Sequence, residues 1–247
     1  MIRADGRRAH ELRPVSIQPG YLAFAEGSAL IQMGQTHVLC AVTVEDRIPQ
    51  FARGTGSGWI TAEYGMLPRS TQTRTPRDTG RPAGRSFEIQ RLIGRSLRSV
   101  AQLDLLGERT LVVDCDVLQA DGGTRTAAIS GAYVAAYQAM HKLVEAGALP
   151  RLPLRCPVAA ISAGIVEGIP LLDLNYEEDA RAEVDFNVVL TREGDLVEVQ
   201  GTGESRPFSR EAMIELLDLA ERGIRELFEV QDRALADAGI PASVPES

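Results

Sequence analysis

A glycine turn that leads into a helical segment is the sharpest chemical feature of this sequence. Gly122 and Gly123 are followed by Thr124 and Arg125, and a run of small apolar residues comes next. The first amides of a helix have no partner within the helix, so with a hydroxyl and a guanidinium they form a site for an anion such as phosphate. A glycine pair before a helix is also often an ordinary turn with an N-cap threonine, so the motif alone leaves both interpretations open.

The second candidate site is acidic and lies about sixty residues further along the chain. Residues 183–188 alternate polar and apolar side chains, which places Glu183, Asp185 and Asn187 on one face of a predicted strand. Asp179 lies just before that strand. Two carboxylates on a turn and the adjoining strand can hold one Mg²⁺ while leaving positions for water and a substrate phosphate. Amphipathic edge strands also carry such acids without a function.

Charge is unevenly distributed along the chain. The formal net charge of −8 and the isoelectric point near 5.0 argue at first sight against a polyanionic partner. However, eight arginines between Arg69 and Arg98 face only two carboxylates, and ten carboxylates between Asp173 and Glu204 face only two arginines. An unevenly charged solvated surface would explain this pattern. A region that binds phosphate beside another that binds a cation would explain it as well.

Several other chemistries are excluded or disfavoured. Lys142 is the only lysine, so a P-loop is excluded, and the three histidines lack the spacing of a zinc site. We expect Cys40, Cys115 and Cys156 to be buried, inert thiols. The glycines at 54–58 lack a dinucleotide fingerprint and indicate a hairpin turn. No segment approaches the roughly 18 apolar residues of a membrane span, and the N-terminus lacks a signal peptide, so we expect a cytoplasmic protein without a membrane partner.

The order of elements predicts an α+β fold with helices packed on a mostly antiparallel or mixed sheet. We expect one domain over residues 1–240 and a flexible tail at 241–247, with two fused halves as the alternative. A basic, irregular loop is expected at 67–83, followed by a helix whose apolar stripe includes Phe87, Ile89 and Val100. The other expected elements are antiparallel strands at 28–33, 37–46 and 59–67, a strand at 110–118, a helix ending at Gly147, strands at 157–166, 169–174, 183–191 and 195–200, and a helix capped by Ser209.

In their order along the chain, these features closely resemble the ribonuclease PH family, over essentially the whole sequence. The motifs that carry the resemblance are RADGRRAHELRPV, GSALIQMGQTHVLCAVTVED, GWITAEYGMLPRST, GRSFEIQRLIGRSLR, DCDVLQADGGTRTAAISGA, LLDLNYEEDARAEVDFNVV and GTGESRPFSR. The resemblance implies the fold of the second domain of ribosomal protein S5. It also implies a homo-oligomer, a hexamer built as a trimer of dimers.

The resemblance also implies roles for particular residues. The attacking inorganic phosphate would be bound by Arg85, Gly123, Thr124 and Arg125. Asp179 and Asp185 would bind Mg²⁺ or Mn²⁺ and, with Arg125, form the catalytic set. Arg69, Arg74 and Arg77 of the basic loop would grip RNA.

The activity that the resemblance implies is phosphate-dependent 3′-to-5′ trimming of RNA. Terminal nucleotides of tRNA precursors and other RNA 3′ ends would leave as nucleoside diphosphates, and the reaction would also run backward. The alternatives are a catalytically silent RNA-binding ring subunit, a hydrolytic nuclease that releases monophosphates, and a small-molecule kinase. The two aspartates and the glycine turn argue against the first, and no glycine-rich nucleotide loop supports the last.

Overall fold

A computed structural model describes residues 3–77 and 84–241 of the chain. Within these residues, strands and helices alternate only in part, as expected for an α+β fold. The strands are β1 Val15–Pro19, β2 Gly27–Met33, β3 Thr36–Glu45, β4 Trp59–Met66, β5 Thr110–Gln119, β6 Val158–Val166, β7 Ile169–Leu172, β8 Val184–Thr191 and β9 Leu196–Gly203. The helices are α1 Gly84–Val100, α2 Leu103–Leu106, α3 Thr124–Glu145, α4 Tyr176–Asp179 and α5 Arg210–Asp237, with a 3₁₀ turn at Gln50–Ala52.

The first sheet has five strands in the order β1-β2-β3-β5-β4, and it is mixed. β1, β2, β3 and β5 pair antiparallel, as predicted for β2 and β3, but β4 pairs with β5 in parallel, with Trp59 opposite Thr110. The prediction of an antiparallel β4 was therefore wrong. Because β5 lies between β3 and β4, the glycines at 54–58 do not form a hairpin turn either. A parallel pair needs a long crossover, and α1 lies within this one.

Helix α1 buries one face against β4, as its sequence pattern predicted. Ile89, Leu92, Ile93, Leu97 and Val100 are all buried. Phe87, which was assigned to the same stripe, is 52% exposed. Successive helical residues are about 100° apart, so residue 87 lies nearly opposite residues 89 and 100 on the helix. The assignment of Phe87 to the buried stripe was therefore wrong, because it did not follow the period of the helix.

The second sheet has four antiparallel strands in the order β7-β6-β8-β9. All four lie where the sequence predicted strands. Helix α5 packs against β6 and β1 and begins after Ser209, whose side chain accepts a hydrogen bond of 3.1 Å from the Ala212 amide. This contact confirms the predicted cap.

Helix α3 lies between the two sheets, contacting β2 and β3 on one side and β6 on the other. Its residues from 126 to 140 are buried on every side. Small residues allow this close approach: a Cβ on Gly131 would lie 2.8 Å from Ile31 and 3.0 Å from the Cys40 sulfur. The helix ends at Glu145 with Ala146 as its C-cap, and Gly147, the predicted glycine cap, follows one residue later with a left-handed φ of 70°.

One buried cluster contains residues from both sheets and from the three long helices. The three cysteines are buried and free, as expected. The assignment of residues 1–240 to one domain stays a prediction. Of the tail, only Pro241 falls within the described residues, and the loop segment 78–83 lies outside them.

Candidate active site

A cavity of about 590 Å³ opens where the start of α3 meets α4 and β8. Gly123, Thr124 and Arg125 line it from one side, and Asp179 and Asp185 line it from the other. Arg85, from the beginning of α1, also lines the cavity. The structure therefore brings together the two candidate sites that the sequence indicated, the anion pocket at the glycine turn and the cation pocket at the aspartates. They are more than fifty residues apart in the chain. The other residues that line the cavity are Met66, Thr71, Ala120, Gly122, Ser162, Tyr176, Ala180, Ala182, Asn187 and Glu204.

The glycine turn, residues 121–125, depends on glycine for two reasons. Gly122 and Gly123 have φ angles of 73° and 64°, in the left-handed region that other residues adopt at a cost. A Cβ on Gly122 would also lie 2.4 Å from the carbonyl oxygen of Leu174. The turn thus packs directly against the segment that leads into α4, the helix that carries Asp179. This contact fixes the separation of the two pockets.

The N-cap of α3 is Gly123 rather than Thr124. Gly123 supplies no capping side chain, so the amides of the first helical turn can bind an anion. Thr124 instead shares a hydrogen bond of 2.8 Å with the hydroxyl of Tyr64. Tyr64 is buried, and burial raises the pKa of its phenol, so this residue stays a neutral partner of Thr124.

Arg125 is held at the cavity by a neutral partner. Its Nη1 donates a 3.0 Å hydrogen bond to Oε1 of Gln200 on β9, and its nearest carboxylate partner, Glu88, is 4.0 Å away. Because an amide oxygen does not neutralise the guanidinium, Arg125 keeps positive charge and further N–H donors for a ligand.

The two aspartates line the same cavity, and each is close enough to act on the other electrostatically. Asp179 ends α4 and is half-buried; burial raises the pKa of its carboxyl, and the charge of Asp185 raises it further. Arg85 and Arg125 act in the opposite direction on the same pKa, which shows that both pockets share one electrostatic environment. The carboxylate of Asp185 accepts a 3.0 Å hydrogen bond from Nδ2 of Asn187.

A cation would relieve the repulsion between these two carboxylates. Among the residues that the structure describes, no group of three or more His, Cys, Asp or Glu side chains is arranged to hold a metal ion. Asp179 and Asp185 fit an ion such as Mg²⁺ that keeps several ligands from water and substrate phosphate.

The three loop arginines do not line this cavity. Arg69, Arg74 and Arg77 are exposed, on the part of the irregular loop that precedes residue 78. Arg77 lines a second cavity of about 940 Å³ together with Asp114 and Asp116. The two cavities are adjacent, because Met66 lines both. Arg77 thus lines the cavity next to the first one, and Arg69 and Arg74 belong to the same loop.

The sequence analysis missed a buried ionic network behind the glycine turn. Arg3, Arg7 and Arg13 are at most 8% exposed and surround Asp173, which is fully buried. Arg3 also forms a bidentate pair with Glu178, the neighbour of Asp179. The only available signal was the density of arginines in the N-terminal motif RADGRR, to which we assigned no structural role.

A glycine turn and arginines beside paired carboxylates are typical of enzymes that transfer phosphoryl or nucleotidyl groups. Comparison with known proteins gives the particular family. A model described as 3′ exoribonuclease family, domain 1, matches residues 11–140, and the model for domain 2 of that family matches residues 156–223. The chain therefore belongs to the ribonuclease PH group of the 3′ exoribonuclease family.

Curated relatives agree over nearly the whole chain. Ribonuclease PH of Moorella thermoacetica is 57% identical over 239 residues, which cover 96% of both chains. Ribonuclease PH of Dehalococcoides mccartyi is 55% identical over 233 residues, covering 94% of this chain and 97% of the relative. The activity of the family is phosphorolytic 3′-to-5′ exoribonuclease action, a nucleotidyl transfer in which phosphate is the co-substrate. These matches confirm the function that the sequence indicated, and the family match agrees with the predicted fold.

Solved structures agree as well. A chain of the Archaeoglobus fulgidus exosome with RNA bound to the active site is 26% identical, has a TM-score of 0.80, and covers 92% of this chain and 91% of its own. A chain of an archaeal exosome core is 24% identical, with a TM-score of 0.76, and covers 94% of this chain and 90% of its own; it shows the shared fold. In the described part of the chain, no helix has the length and apolar character needed to cross a bilayer.

Proposed function

We propose that the 590 Å³ cavity binds inorganic phosphate and the 3′ end of an RNA side by side, so that phosphate attacks the terminal phosphodiester. The observation that carries this proposal is the lining of one cavity by both Gly123–Arg125 and the Asp179–Asp185 pair. A single phosphorus atom can then lie between an anion site and a cation site. Each turnover would release one nucleoside diphosphate and leave the RNA one nucleotide shorter.

Arg85, Gly123, Thr124 and Arg125 are the proposed phosphate ligands. Two anions must approach each other for this reaction, so the approach requires positive charge and N–H donors that are already in place. The free amides at the start of α3 and the guanidinium of Arg125 supply both. They orient a phosphate oxygen toward the scissile phosphorus, from which the 3′ oxygen of the next nucleotide departs.

Asp179 and Asp185 are the proposed ligands of Mg²⁺ or Mn²⁺. When bound, such an ion neutralises charge that develops on the scissile phosphate and the leaving oxygen. The leaving oxygen must also gain a proton, which the attacking hydrogen phosphate gives up; we assign its transfer to Asp185, whose carboxyl group is oriented by Asn187. Because a diester is exchanged for a diphosphate, the reaction is expected to run in both directions.

We further propose that Arg69, Arg74 and Arg77 bind the RNA backbone ahead of the cavity. Their exposure and the position of Arg77 in the adjacent cavity support contact with phosphates, and such contacts do not read bases. The proposed substrates are tRNA precursors and other RNA 3′ ends, in the cytoplasm where these RNAs mature. Binding should weaken steeply with salt.

We also propose a ring of six chains, a trimer of dimers. The loop at residues 20–26 supports association, because it exposes the apolar side chains of Tyr21, Leu22 and Phe24, and Phe24 has no shielding at all. Apolar side chains grouped on a surface in this way are typical of an interface between proteins.

One assay tests the proposed chemistry. A tRNA precursor is incubated with the protein and Mg²⁺, with or without phosphate, and the released nucleotides are identified. We expect nucleoside diphosphates that appear only with phosphate, and RNA extension when diphosphates are supplied instead. Release of monophosphates without phosphate would show hydrolysis and contradict the proposal.

A further inference from the structure

The glycine turn is held from behind by a single buried hydroxyl. Thr36, the first residue of β3, is fully buried. Its Oγ1 donates a 2.6 Å hydrogen bond to the carbonyl of Gly122 and accepts one of 2.9 Å from the amide of Asp121. The Asp121 amide and the Gly122 carbonyl, which belong to two different peptide groups, are therefore fixed by one side chain that does not line the cavity.

Arg13 reinforces this support from the same side. It is 5% exposed, and its Nε and Nη2 donate hydrogen bonds of 3.0 and 2.6 Å to the two carboxylate oxygens of Asp173. Its Nη1 donates to the carbonyl of Asp121, and its Nη2 to that of Gly122 at 3.4 Å. The guanidinium thus joins the turn to a buried anion on the segment that follows β7.

Asp173 is the anchor of the arrangement. Its φ of 53° lies in the left-handed region, which costs a non-glycine residue free energy and persists only where the surroundings impose it. Here its carbonyl accepts hydrogen bonds from Nη2 of Arg3 at 2.8 Å and Nη1 of Arg7 at 3.0 Å, while its carboxylate is held by Arg13.

The same segment continues into the acidic side of the cavity. Oδ1 of Asp121 accepts a 3.1 Å hydrogen bond from the amide of Tyr176, the first residue of α4. Arg3 holds Glu178 through a 2.7 Å bond from Nε to Oε1. Both pockets are consequently attached to one buried frame, and Thr36 and Arg13 are its contacts to the glycine turn.

We propose that Thr36 and Arg13 are positioning residues for phosphate: they act through the backbone of the glycine turn, and they set the direction in which the first amides of α3 point. This inference rests on the proposed role of that turn as the phosphate site. It assigns Thr36 and Arg13 an effect on the co-substrate phosphate that is separate from any effect on RNA.

The test compares Thr36→Val, which removes the hydroxyl at nearly constant volume, with Thr36→Ser, which keeps it. Misplaced catalytic groups and lost supporting contacts typically cost about 10- to 100-fold, so we expect the KM for phosphate to rise about tenfold in Thr36→Val. The KM for RNA should stay at the wild-type value, and the KM for phosphate in Thr36→Ser should lie close to that of the wild-type protein. Thr43→Val is the matched control, because Thr43 lies exposed on the same strand.

An unchanged phosphate KM in Thr36→Val would overturn the inference, as would equal rises of both KM values together with a lower Tm. Should Thr36→Val fail to fold, Arg13→Lys decides the question, with Arg8→Lys as the exposed control from the same segment. Arg13→Lys keeps the charge but loses the planar fork, so the same selective rise is expected, and its absence would overturn the proposal. The wild-type assay comes first: if wild-type protein does not use phosphate, the proposed function fails, not the positioning role alone.

Discussion

Arg125 is the residue on which the proposed phosphate site depends most. Arg125→Ala removes the charged fork while leaving Gln200 and Glu88 able to contact solvent, so the fold should be retained. We expect kcat/KM for phosphate to fall about 10²- to 10³-fold, as when a preorganised donor is removed from an oxyanion site. Initial rates at varied phosphate, with circular dichroism for the fold, measure this effect.

The control for Arg125→Ala is Arg225→Ala, which removes an exposed arginine on α5 that pairs with Glu221. This variant should keep wild-type kinetics. Full turnover of Arg125→Ala at ordinary phosphate concentrations would contradict the assigned role.

The ionised carboxyl of Asp179 should lower the stability of the folded protein although the proposed reaction requires it. Because burial and Asp185 raise its pKa, the ionised carboxyl is disfavoured in the folded state. The resulting stability is present at low pH, where the proton is bound, and is lost as the pH rises through the raised pKa. At neutral pH without metal, Asp179→Asn should therefore raise Tm by about 1–3 °C while abolishing turnover.

Thermal melting in EDTA and in Mg²⁺ tests this expectation. Added Mg²⁺ should raise the Tm of the wild-type protein, because a ligand that binds the native state stabilises it, and should do so much less in Asp179→Asn. A lower Tm for the variant in EDTA would show that the carboxylate stabilises the fold, which is the opposite of what its surroundings indicate.

At the residue scale, local motifs predicted the members of the cavity but not what supports them. Gly123, Thr124 and Arg125 are consecutive, so their shared position could be read from a short stretch. Thr36 and Arg13 reach the turn across 86 and about a hundred residues respectively, and Asp173 lies 160 residues from Arg13. No local pattern reports such partners. The catalytic, metal-binding and RNA-binding roles of individual residues stay predictions.

The glycine turn is an element whose shape cannot tolerate a side chain. Gly122→Ala combines a left-handed φ with a contact of 2.4 Å to the Leu174 carbonyl, so we expect loss of activity and a destabilisation of about 2–4 kcal/mol. Gly168→Ala is the matched control: its φ is 76° but no atom lies within 4 Å of the added carbon, so only about 1 kcal/mol should be lost. Urea unfolding of both variants separates backbone strain from steric collision, and equal losses would show that the contact with the Leu174 carbonyl does not matter.

The basic loop should affect RNA affinity rather than chemistry. Arg74→Ala removes an exposed charge outside the cavity, so the Kd for RNA should rise severalfold at low salt and kcat should change little. The slope of log affinity against log salt should decrease by about 0.7 for one lost contact to single-stranded RNA. Filter binding across a salt series measures both, and an unchanged slope would place Arg74 away from the RNA.

Element types could be predicted from the sequence more readily than their partners. Alternation and turn residues located β6 to β9 because those signals are local. The parallel pairing of β4 with β5 was missed because a strand's own pattern does not state its direction relative to a neighbour. Consecutive strands usually pair antiparallel, and here the helix between β4 and β5 reverses that expectation.

At the scale of the whole molecule, the exposed loop at residues 20–26 predicts association. We expect light scattering to give six times the 26.7 kDa mass of the chain. Phe24→Glu should shift the protein to smaller species, because a charge would replace the fully exposed ring, whereas Phe24→Tyr should keep the wild-type mass. A wild-type mass for Phe24→Glu would exclude this loop as a contact between subunits.

Helix α3 connects the fate of the cavity to that of the entire molecule. It is packed on all sides between the sheets, and the glycine turn forms its first residues. The amides of its buried residues 127–140 should exchange with deuterated solvent only through global opening, because this part of the helix is enclosed between the two sheets. Heat should then inactivate the enzyme in step with cooperative melting, because the proposed phosphate ligands at the start of α3 stay in position as long as the buried part of this helix is folded.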